Sequence, residues 1–225
     1  METEEIATFF DRVAPEYESM HLSRVDHGME GKATLAEHLP AGTGRILDIG
    51  AGTGLELEAV FNRFPDAQVT VVDISENMLG KLEERFAGRK ITVTPGDYFT
   101  ADFGGEPYDA VITSMSLHHW TPDEKRRLYP RFYEALKPGG IYIENDYMLT
   151  EGTPEELAAE EKRLLSERKA LEEANPDVRH VHMDLPATVP SEMKRLEEAG
   201  FSDVREVWSA KNNVTLTALR AADTQ

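Results

Sequence analysis

The feature that most constrains the fold is the alternation of short β-branched runs with segments of helical spacing. Between the runs, apolar residues recur every three or four positions, as Leu55, Ala59, Val60 and Phe64 do. The runs are residues 46–49, 68–72, 91–93, 110–113 and 140–144. Strands that alternate with helices along the chain imply crossover connections and a mainly parallel sheet that is covered on both faces. The sequence therefore predicts a doubly wound α/β fold.

Two further apolar runs, 204–208 and 214–219, are separated by the short polar link Lys211-Asn212-Asn213. A link this short joins antiparallel strands, so these runs predict a hairpin at one edge of the sheet. One departure is expected within 123–136, which otherwise has helical spacing. Pro130 lacks a backbone donor and clashes one turn back, which predicts two short helical pieces there.

Two segments outside the alternation also have helical spacing. Ile6, Phe9, Phe10 and Val13 form an apolar face that ends before Pro15. Residues 154–174 carry leucines at helical spacing, with Thr153 as the expected cap. We interpret both as lid elements over the carboxyl end of the sheet. Ordinary outer helices without ligand contact are the alternative.

The charge and composition limit the partners. The 225 residues include 42 acidic and 24 basic side chains, a net charge of −18, which disfavours nucleic acid and anionic membranes. The absence of cysteine excludes disulfides and thiolate chemistry. The acidic start Met1-Glu2-Thr3-Glu4-Glu5 is unlike a secretion signal, and no apolar run approaches the ~20 residues of a membrane span. We expect a cytoplasmic protein, monomeric or homodimeric.

The strongest chemical signal is Asp48-Ile49-Gly50-Ala51-Gly52-Thr53-Gly54, directly after the first predicted strand. Its glycines permit a tight turn and a close approach of the backbone to a ligand, at a helix start that attracts a carboxylate. The spacing is G-x-G-x-G, with Leu55 where a dinucleotide fingerprint has its third glycine.

Two more polar positions follow neighbouring strands. Asp73 ends the second strand, where a carboxylate can accept both hydroxyls of a ribose. Pro95-Gly96-Asp97-Tyr98 ends the third, where a polar side chain can face an adenine edge. These strand ends adjoin one crevice at the switch point of such a sheet. An ordinary role in turns would explain each of these residues separately. It would not explain why all of them fall at the carboxyl ends of neighbouring strands.

Together these residues resemble the class I S-adenosylmethionine-dependent methyltransferases. Residues 10–17 resemble the lid motif of the small-molecule members, 116–120 the fourth strand's end, 136–140 the turn before the fifth strand, and 198–201 the turn into the hairpin. The resemblance implies a Rossmann-like seven-stranded sheet, bound S-adenosylmethionine, and transfer of its methyl group to a small molecule, leaving S-adenosylhomocysteine. It also implies a single domain over 1–225, with a core at about 36–149 and 186–225 and lid elements at about 1–35 and 150–185.

The resemblance also implies which residues touch the cofactor. The glycines would border its methionine half, Asp73 would hold the ribose, and Asp97 would face the adenine amino group. Tyr17 would close over the cofactor from the lid. The implied cofactor-binding residues are Asp48, Gly50, Gly52, Thr53, Gly54, Asp73, Ile74, Met78, Asp97, Tyr98, Ser114 and Met115.

Methyl transfer from a sulfonium is an in-line displacement that requires no metal, and none is expected. A base is needed only when the nucleophile arrives protonated. The catalytic candidates are His118, His119, Glu144 and Tyr17. Alternatives are a structural hydrogen bond for the histidines and a solvated strand end for Glu144. Carboxylates beside the cleft would favour a cationic or polyhydroxylated acceptor with a nitrogen or oxygen nucleophile.

A metal site is the weaker interpretation of His180-Val181-His182. Two histidines share one face of an extended segment, a spacing that metals use, but no third ligand is evident, since Asp177 and Asp184 can be nearby by coincidence. Lid surface or contact with the acceptor is preferred for this segment.

Other functions fit the same fold. A nucleotide-dependent oxidoreductase is disfavoured by the glycine spacing and by the lack of a recognisable Tyr-x-x-x-Lys pair. An enzyme that uses S-adenosylmethionine for another reaction would have a similar donor pocket. A non-catalytic S-adenosylmethionine-binding module is disfavoured by the lid motif and the polar cleft residues.

Overall fold

A seven-stranded sheet in the order β3-β2-β1-β4-β5-β7-β6 organises the computed structural model, which describes residues 4–178 and 180–222. The strands are β1 Arg45–Ile49, β2 Gln68–Asp73, β3 Lys90–Pro95, β4 Tyr108–Ser114, β5 Leu136–Tyr147, β6 Ser202–Ala210 and β7 Asn213–Leu219. Strands β1 to β5 run parallel, and β7 is antiparallel to both β5 and β6. The predicted doubly wound sheet with an antiparallel edge hairpin is confirmed.

Helices connect the strands and precede the sheet. In the described part of the chain they are α1 Ile6–Val13, α2 Tyr17–Arg24, α3 Gly28–His38, α4 Leu57–Arg63, α5 Glu76–Arg85, α6 Pro122–Ala135, α7 Pro154–Ala174 and α8 Val189–Glu198. A short 3-10 helix, Leu117–His119, follows β4. None of these helices is both long and apolar enough to cross a membrane.

Both faces of the sheet carry an apolar layer. Because successive strand residues point to opposite faces, each strand contributes to both layers. One layer joins α3, α4 and α5 to the sheet, through Leu35, Leu57 and Leu79 against Ile46, Val69 and Ile112. The other joins α6 and α8 to the sheet, through Leu128, Phe132 and Leu196 against Leu47, Val111 and Tyr142.

The strand register brings the predicted site segments to one edge. Ile49 lies beside Val72 of β2 on one side and Thr113 of β4 on the other. The Gly50 N–H donates to the carbonyl of Val72 over 2.8 Å, which holds the turn after β1 against the end of β2. The turns after β1, β2 and β4 therefore emerge together at the carboxyl edge.

The expected break at Pro130 is wrong, since α6 runs continuously from Pro122 to Ala135. Its start is fixed by a capping box, in which Thr121 and Glu124 each bond the other's backbone N–H. Its inner face, Leu128, Tyr129 and Phe132, is fully buried. Burial of that face outweighs the helix-interior penalty of proline, about 3 kcal/mol.

Both segments that we interpreted as lid elements are helical. Helix α1 extends from Ile6 to Val13 and packs against α5, while α7 begins at Pro154 behind a capping box formed by Thr153 and Glu156. Helix α3 packs on α4, β5 and β7. The first three residues of the expected lid and the last three of the expected core lie outside the described residues.

Candidate active site

The glycine turn after β1 needs backbone conformations that other residues adopt only with strain. Gly50 has φ of +67°, and a Cβ there would lie 2.1 Å from Oγ of Ser116. Gly52 has φ of +53°, with open space where its side chain would be. Gly54 has φ of +72° and packs against Phe86. The turn thus brings its backbone close to Ser116, after β4, and leaves room in front of Gly52.

Asp73 joins this turn to β2. Its carboxylate accepts the backbone N–H groups of Gly52 and Ser75, each over 2.8 Å. Burial raises the pKa of Asp73 to about 6, although these two hydrogen bonds lower it. Ile74 follows half-buried, and Met78 is fully buried on α5. The predicted residues Asp73, Ile74 and Met78 therefore lie between the end of β2 and the first turn of α5.

A second buried carboxylate lies beneath the turn. Asp48 is completely buried, and neither of its side-chain oxygens has a hydrogen-bond partner. Burial and the nearby Glu56 raise the pKa of Asp48 well above its usual value. Lys32, from α3, donates to Glu56 and to Oγ of Ser114, both over 2.9 Å. Thr53 Oγ1 is also buried without a partner. The turn therefore encloses several unsatisfied polar atoms.

The ends of β3 and β4 supply the remaining predicted cofactor residues. Asp97 accepts the backbone N–H of Phe99 over 2.9 Å, and its other oxygen lies 3.3 Å from Nε2 of His180. Tyr98 is buried, and its hydroxyl lies 3.2 Å from Oγ of Ser116. Met115, after Ser114, has φ of +52°, a left-handed conformation that strains a residue with a side chain.

A cavity of about 680 Å³ opens beside these strand ends. Aromatic rings from α1 and α2 form one wall. Imidazoles from the short 3-10 helix after β4 and from the loop after α7 form another. The lining residues include Phe9, Phe10, Tyr17, His21, Met115, His118, His119, Tyr147, His182 and Asp184. Tyr17 stacks on His21 and meets Phe10 edge to face. The catalytic candidates His118, His119 and Tyr17 are thus brought to one cavity.

His118 is held by a carboxylate behind it. Its Nδ1–H donates to Oδ1 of Asp146 over 2.5 Å, and both side chains are buried. Burial alone would lower the pKa of His118, but the Asp146 charge raises it above the usual value. With Nδ1 committed to Asp146, Nε2 is directed toward Asp184, 3.7 Å away. Nε2 is therefore the ring nitrogen of His118 that can accept a proton or bind a ligand.

His119 lies against α1 and the loop that contains His182. Its ring meets Phe10 of α1 edge to face and is tilted against His182, which stacks on Phe9. Burial and the neighbouring His118 lower the pKa of His119, so this ring is neutral near pH 7. Arg168 of α7 donates to the carbonyls of His119 and Val181, which fixes α7 beside the cavity.

Glu144 does not reach the cavity. It is completely buried on the face of β5 that packs against α6 and α8, where the hydroxyls of Tyr129 and Tyr142 donate to it. Burial and the neighbouring Glu192 raise the pKa of Glu144 to about 8. The expectation that its carboxylate faces the acceptor is therefore corrected, because Glu144 lies between Thr113 and Leu216 within the sheet, and Asp146, two residues further along the same face, is the one that reaches His118.

The expected pairing of His180 with His182 is also wrong. His180 has φ of +52°, so the segment is not extended there and the rings separate. His180 stacks on Phe99 and lies beside Asp97, whereas His182 turns toward Phe9.

Sequence reasoning missed Lys32 and Glu56 as site residues, and it considered Asp146 and Asp184 without assigning either of them a role. Lys32 lies in α3, outside every motif, and its buried contact with Glu56 is invisible in the sequence. Asp146 was visible as the second acidic residue at the end of β5. The alternation His180-x-His182-x-Asp184 was the one signal available for Asp184.

Comparison with known proteins identifies the fold and the domain. Residues 46–140 match a family described as a methyltransferase domain. Over 185 residues the chain is 26% identical to the carboxy-S-adenosyl-L-methionine synthase of Shewanella loihica, covering 78% of this chain and 76% of that protein.

Solved structures show the same fold. The complex of DhpI with S-adenosylhomocysteine superimposes with a TM-score of 0.68 at 19% identity, covering 97% of this chain and 96% of that one. Human N-acetylserotonin methyltransferase in complex with S-adenosylmethionine gives 0.64 at 22% identity. The match covers 96% of this chain but 56% of the human chain, so our chain spans just over half of that protein's length.

Proposed function

Since residues 46–140 match a methyltransferase domain, we propose that the chain is a class I S-adenosylmethionine-dependent methyltransferase and that it methylates a nitrogen or oxygen atom of a small molecule held in the histidine-lined cavity. The His118–Asp146 pair carries this proposal. It places a carboxylate-anchored imidazole on the cavity wall, next to the strand ends where the cofactor residues lie.

When bound, S-adenosylmethionine supplies an electrophilic methyl group on a sulfonium. We assign the ribose to Asp73, the adenine side to Asp97, Tyr98, Ile74 and Met78, and the amino-acid portion to the turn from Asp48 to Gly54. An ammonium group would satisfy the orphaned oxygens of Asp48, and an added Cβ at Gly52 or Gly96 meets nothing within 4 Å. The residues present therefore fit the cofactor.

We assign His118 the role of general base. Asp146 fixes the tautomer by accepting the Nδ1 proton, so Nε2 is left to accept a proton from an acceptor hydroxyl or ammonium group. Such a base contributes about 10²–10⁴-fold to the rate. His119 and Tyr17 pack around the acceptor, and Glu144 has no part in this assignment.

The charges around the cavity support an acceptor that is not an acid. Asp26, Glu151 and Asp184 line it, and the one lysine among its lining residues, Lys211, is paired with Asp26 over 2.5 Å. An anionic acceptor would meet repulsion from these carboxylates. We propose an amine or a hydroxyl compound.

We propose that α1, α2 and residues 150–185 act as the lid, and that α3 belongs to the core. The expected boundary at residue 36 falls inside α3, which packs on the sheet. Phe9 and Phe10 of α1, by contrast, contact the cavity histidines. The lid therefore contributes one wall of the cavity.

A second reaction is favoured by one comparison, the 26% identity to a protein named carboxy-S-adenosyl-L-methionine synthase. In that case the methyl group of S-adenosylmethionine would stay on its sulfonium and the modified cofactor itself would be the product. Mass spectrometry of the cofactor after turnover separates the two reactions.

The test is a panel of amines, phenols and carboxylic acids, incubated with the purified chain and methyl-labelled S-adenosylmethionine. We expect label transfer to an amine or a phenol, and turnover lowered about 10²–10⁴-fold in His118→Gln. The affinity of that variant for S-adenosylhomocysteine should stay within twofold. His38→Gln, on α3 outside the cavity, is the matched control. Transfer to acids alone, or undiminished turnover in His118→Gln, would refute the proposal.

A further inference from the structure

We propose that His118, His119 and Asp184 bind a divalent transition-metal ion at the cavity wall. The effect of the ion on the acceptor rests on the proposed function, whereas the metal site itself does not. None of the motifs discussed above requires this site.

The three donor atoms have the spacing of a shared ligand set. His118 Nε2, His119 Nδ1 and a carboxylate oxygen of Asp184 all lie within 4.8 Å of one another. Asp184 Oδ1 is 3.7 Å from His118 Nε2 and 3.3 Å from His119 Nδ1. Tetrahedral ligands about 2.0–2.2 Å from zinc lie about 3.3–3.6 Å apart. The two distances that involve Asp184 therefore already lie close to this range, and the two imidazole nitrogens would have to approach each other by at most about 1.2 Å.

Two further observations point to a ligand. His119 is 4% exposed, and its Nδ1 is buried without a hydrogen-bond partner although Asp184 lies close by. An imidazole nitrogen left unpaired in this way costs free energy unless something binds it. His118 carries the outer carboxylate, Asp146, that metal-bound histidines commonly have on their second nitrogen.

The backbone holds these segments together. The N–H of Leu185, directly after Asp184, donates to the carbonyl of His118 over 2.5 Å. Arg168 bridges the carbonyls of His119 and Val181. The donor atoms come from two chain segments, and both are fixed by hydrogen bonds that do not involve the donor atoms.

The donor set selects the kind of ion. Two imidazoles and one carboxylate suit zinc, iron, cobalt or nickel, whereas magnesium and calcium prefer oxygen ligands throughout. Three protein ligands leave a coordination position open, and the half-exposed Asp184 side chain places the set at the cavity surface. A hydroxyl oxygen of the acceptor is the ligand that fits there. A bound ion lowers the pKa of such an oxygen, so in the loaded protein it would replace His118 in activating the acceptor.

The experiment is a Co²⁺ titration of the full chain after dialysis against a chelator, followed by visible absorption, with Zn²⁺ as competitor. We expect one ion per chain, displaced by Zn²⁺. Asp146→Asn should weaken Co²⁺ binding about 10–100-fold, and Asp184→Asn or His119→Gln at least as much. The control is His27→Asn, which removes a surface histidine paired with Glu30. Asparagine tolerates the backbone φ of +57° at this position.

Binding of S-adenosylhomocysteine by each variant shows that the variant is folded. Two variants of the proposed metal ligands, Asp184→Asn and His119→Gln, are used so that the test still stands if one of them does not fold. No Co²⁺ binding by the wild-type chain, or equal binding by the ligand variants, would overturn the metal site. If the wild-type chain binds S-adenosylhomocysteine but no metal, the proposed function stands with His118 acting alone. If it binds Co²⁺ but not S-adenosylhomocysteine, the proposed function fails and the metal site remains.

Discussion

The carboxylate of Asp73 accepts the backbone N–H of Gly52 over 2.8 Å, and this hydrogen bond joins the end of β2 to the turn after β1. A second bond, from the N–H of Ser75, holds the same carboxylate at the start of α5. Asp73 is thereby fixed in position before any ligand arrives. Pre-organisation of this kind reduces the entropy that binding has to overcome.

Asp73→Asn should weaken the binding of S-adenosylhomocysteine about 10–100-fold, because hydrogen bonds to a charged acceptor contribute about 1.5–3 kcal/mol. Isothermal titration calorimetry measures this directly. Asp66→Asn, at an exposed position between α4 and β2, is the control that should leave the affinity unchanged. Equal affinities in the two variants would remove Asp73 from the cofactor site.

The affinity for S-adenosylhomocysteine should fall on acidification. Burial raises the pKa of Asp73 to about 6, and the ionised form is the better acceptor for two ribose hydroxyls. Protonation therefore competes with the ligand below that pKa, and the dissociation constant should rise about tenfold between pH 7.5 and pH 5. The Asp73→Asn variant should show a much flatter profile when both are titrated across this range. An equally steep profile in the variant would assign the dependence to another group.

Gly54→Ala should destabilise the fold more than Gly88→Ala. Both glycines have positive φ, +72° and +87°, so either alanine meets a left-handed penalty of about 1–2 kcal/mol. At Gly54 the new Cβ would also lie 2.9 Å from the ring of Phe86, whereas at Gly88 nothing lies within 4 Å. Overpacking should add about 1–3 kcal/mol to the loss at Gly54, measured as the free energy of unfolding in urea. Equal losses would show that the Phe86 ring moves freely.

Lys32→Met should lower the free energy of unfolding by about 3–5 kcal/mol, because it leaves the buried carboxylate of Glu56 without its cation. The double variant Lys32→Met/Glu56→Gln removes both charges and should lose less than the single variant. Urea denaturation of the wild type, both single variants and the double variant gives the coupling energy. Additive losses would mean that the two charges do not stabilise each other.

The sheet and the glycine turn could be predicted because their signals are local. Strand and helix periods, the positive φ of Gly50 and Gly52, and Asp73 at a strand end all follow from neighbours in the sequence. Pro130 was misjudged for the opposite reason, since tertiary burial of Tyr129 and Phe132 overrides a local penalty.

The cavity could be predicted only in part. His118 and His119 follow a recognisable strand, but their partners lie elsewhere in the sequence. Asp146 belongs to β5, and Asp184 lies in a loop at least 65 residues further along the chain. The loop before α8 has no periodic pattern, so nothing in the sequence places it over β4. Its position depends on long-range bonds such as that from Leu185 to His118.

Helix α1 is attached to the far side of the crevice through Asp11, which accepts the hydroxyl of Ser75 over 2.6 Å, while its backbone carbonyl accepts the amide of Asn77. Separating α1 from the start of α5 requires that these hydrogen bonds break. The dissociation rate of S-adenosylhomocysteine should therefore depend on α1. Removing the contacts of Asp11 should raise that rate and leave the rate of methyl transfer unchanged.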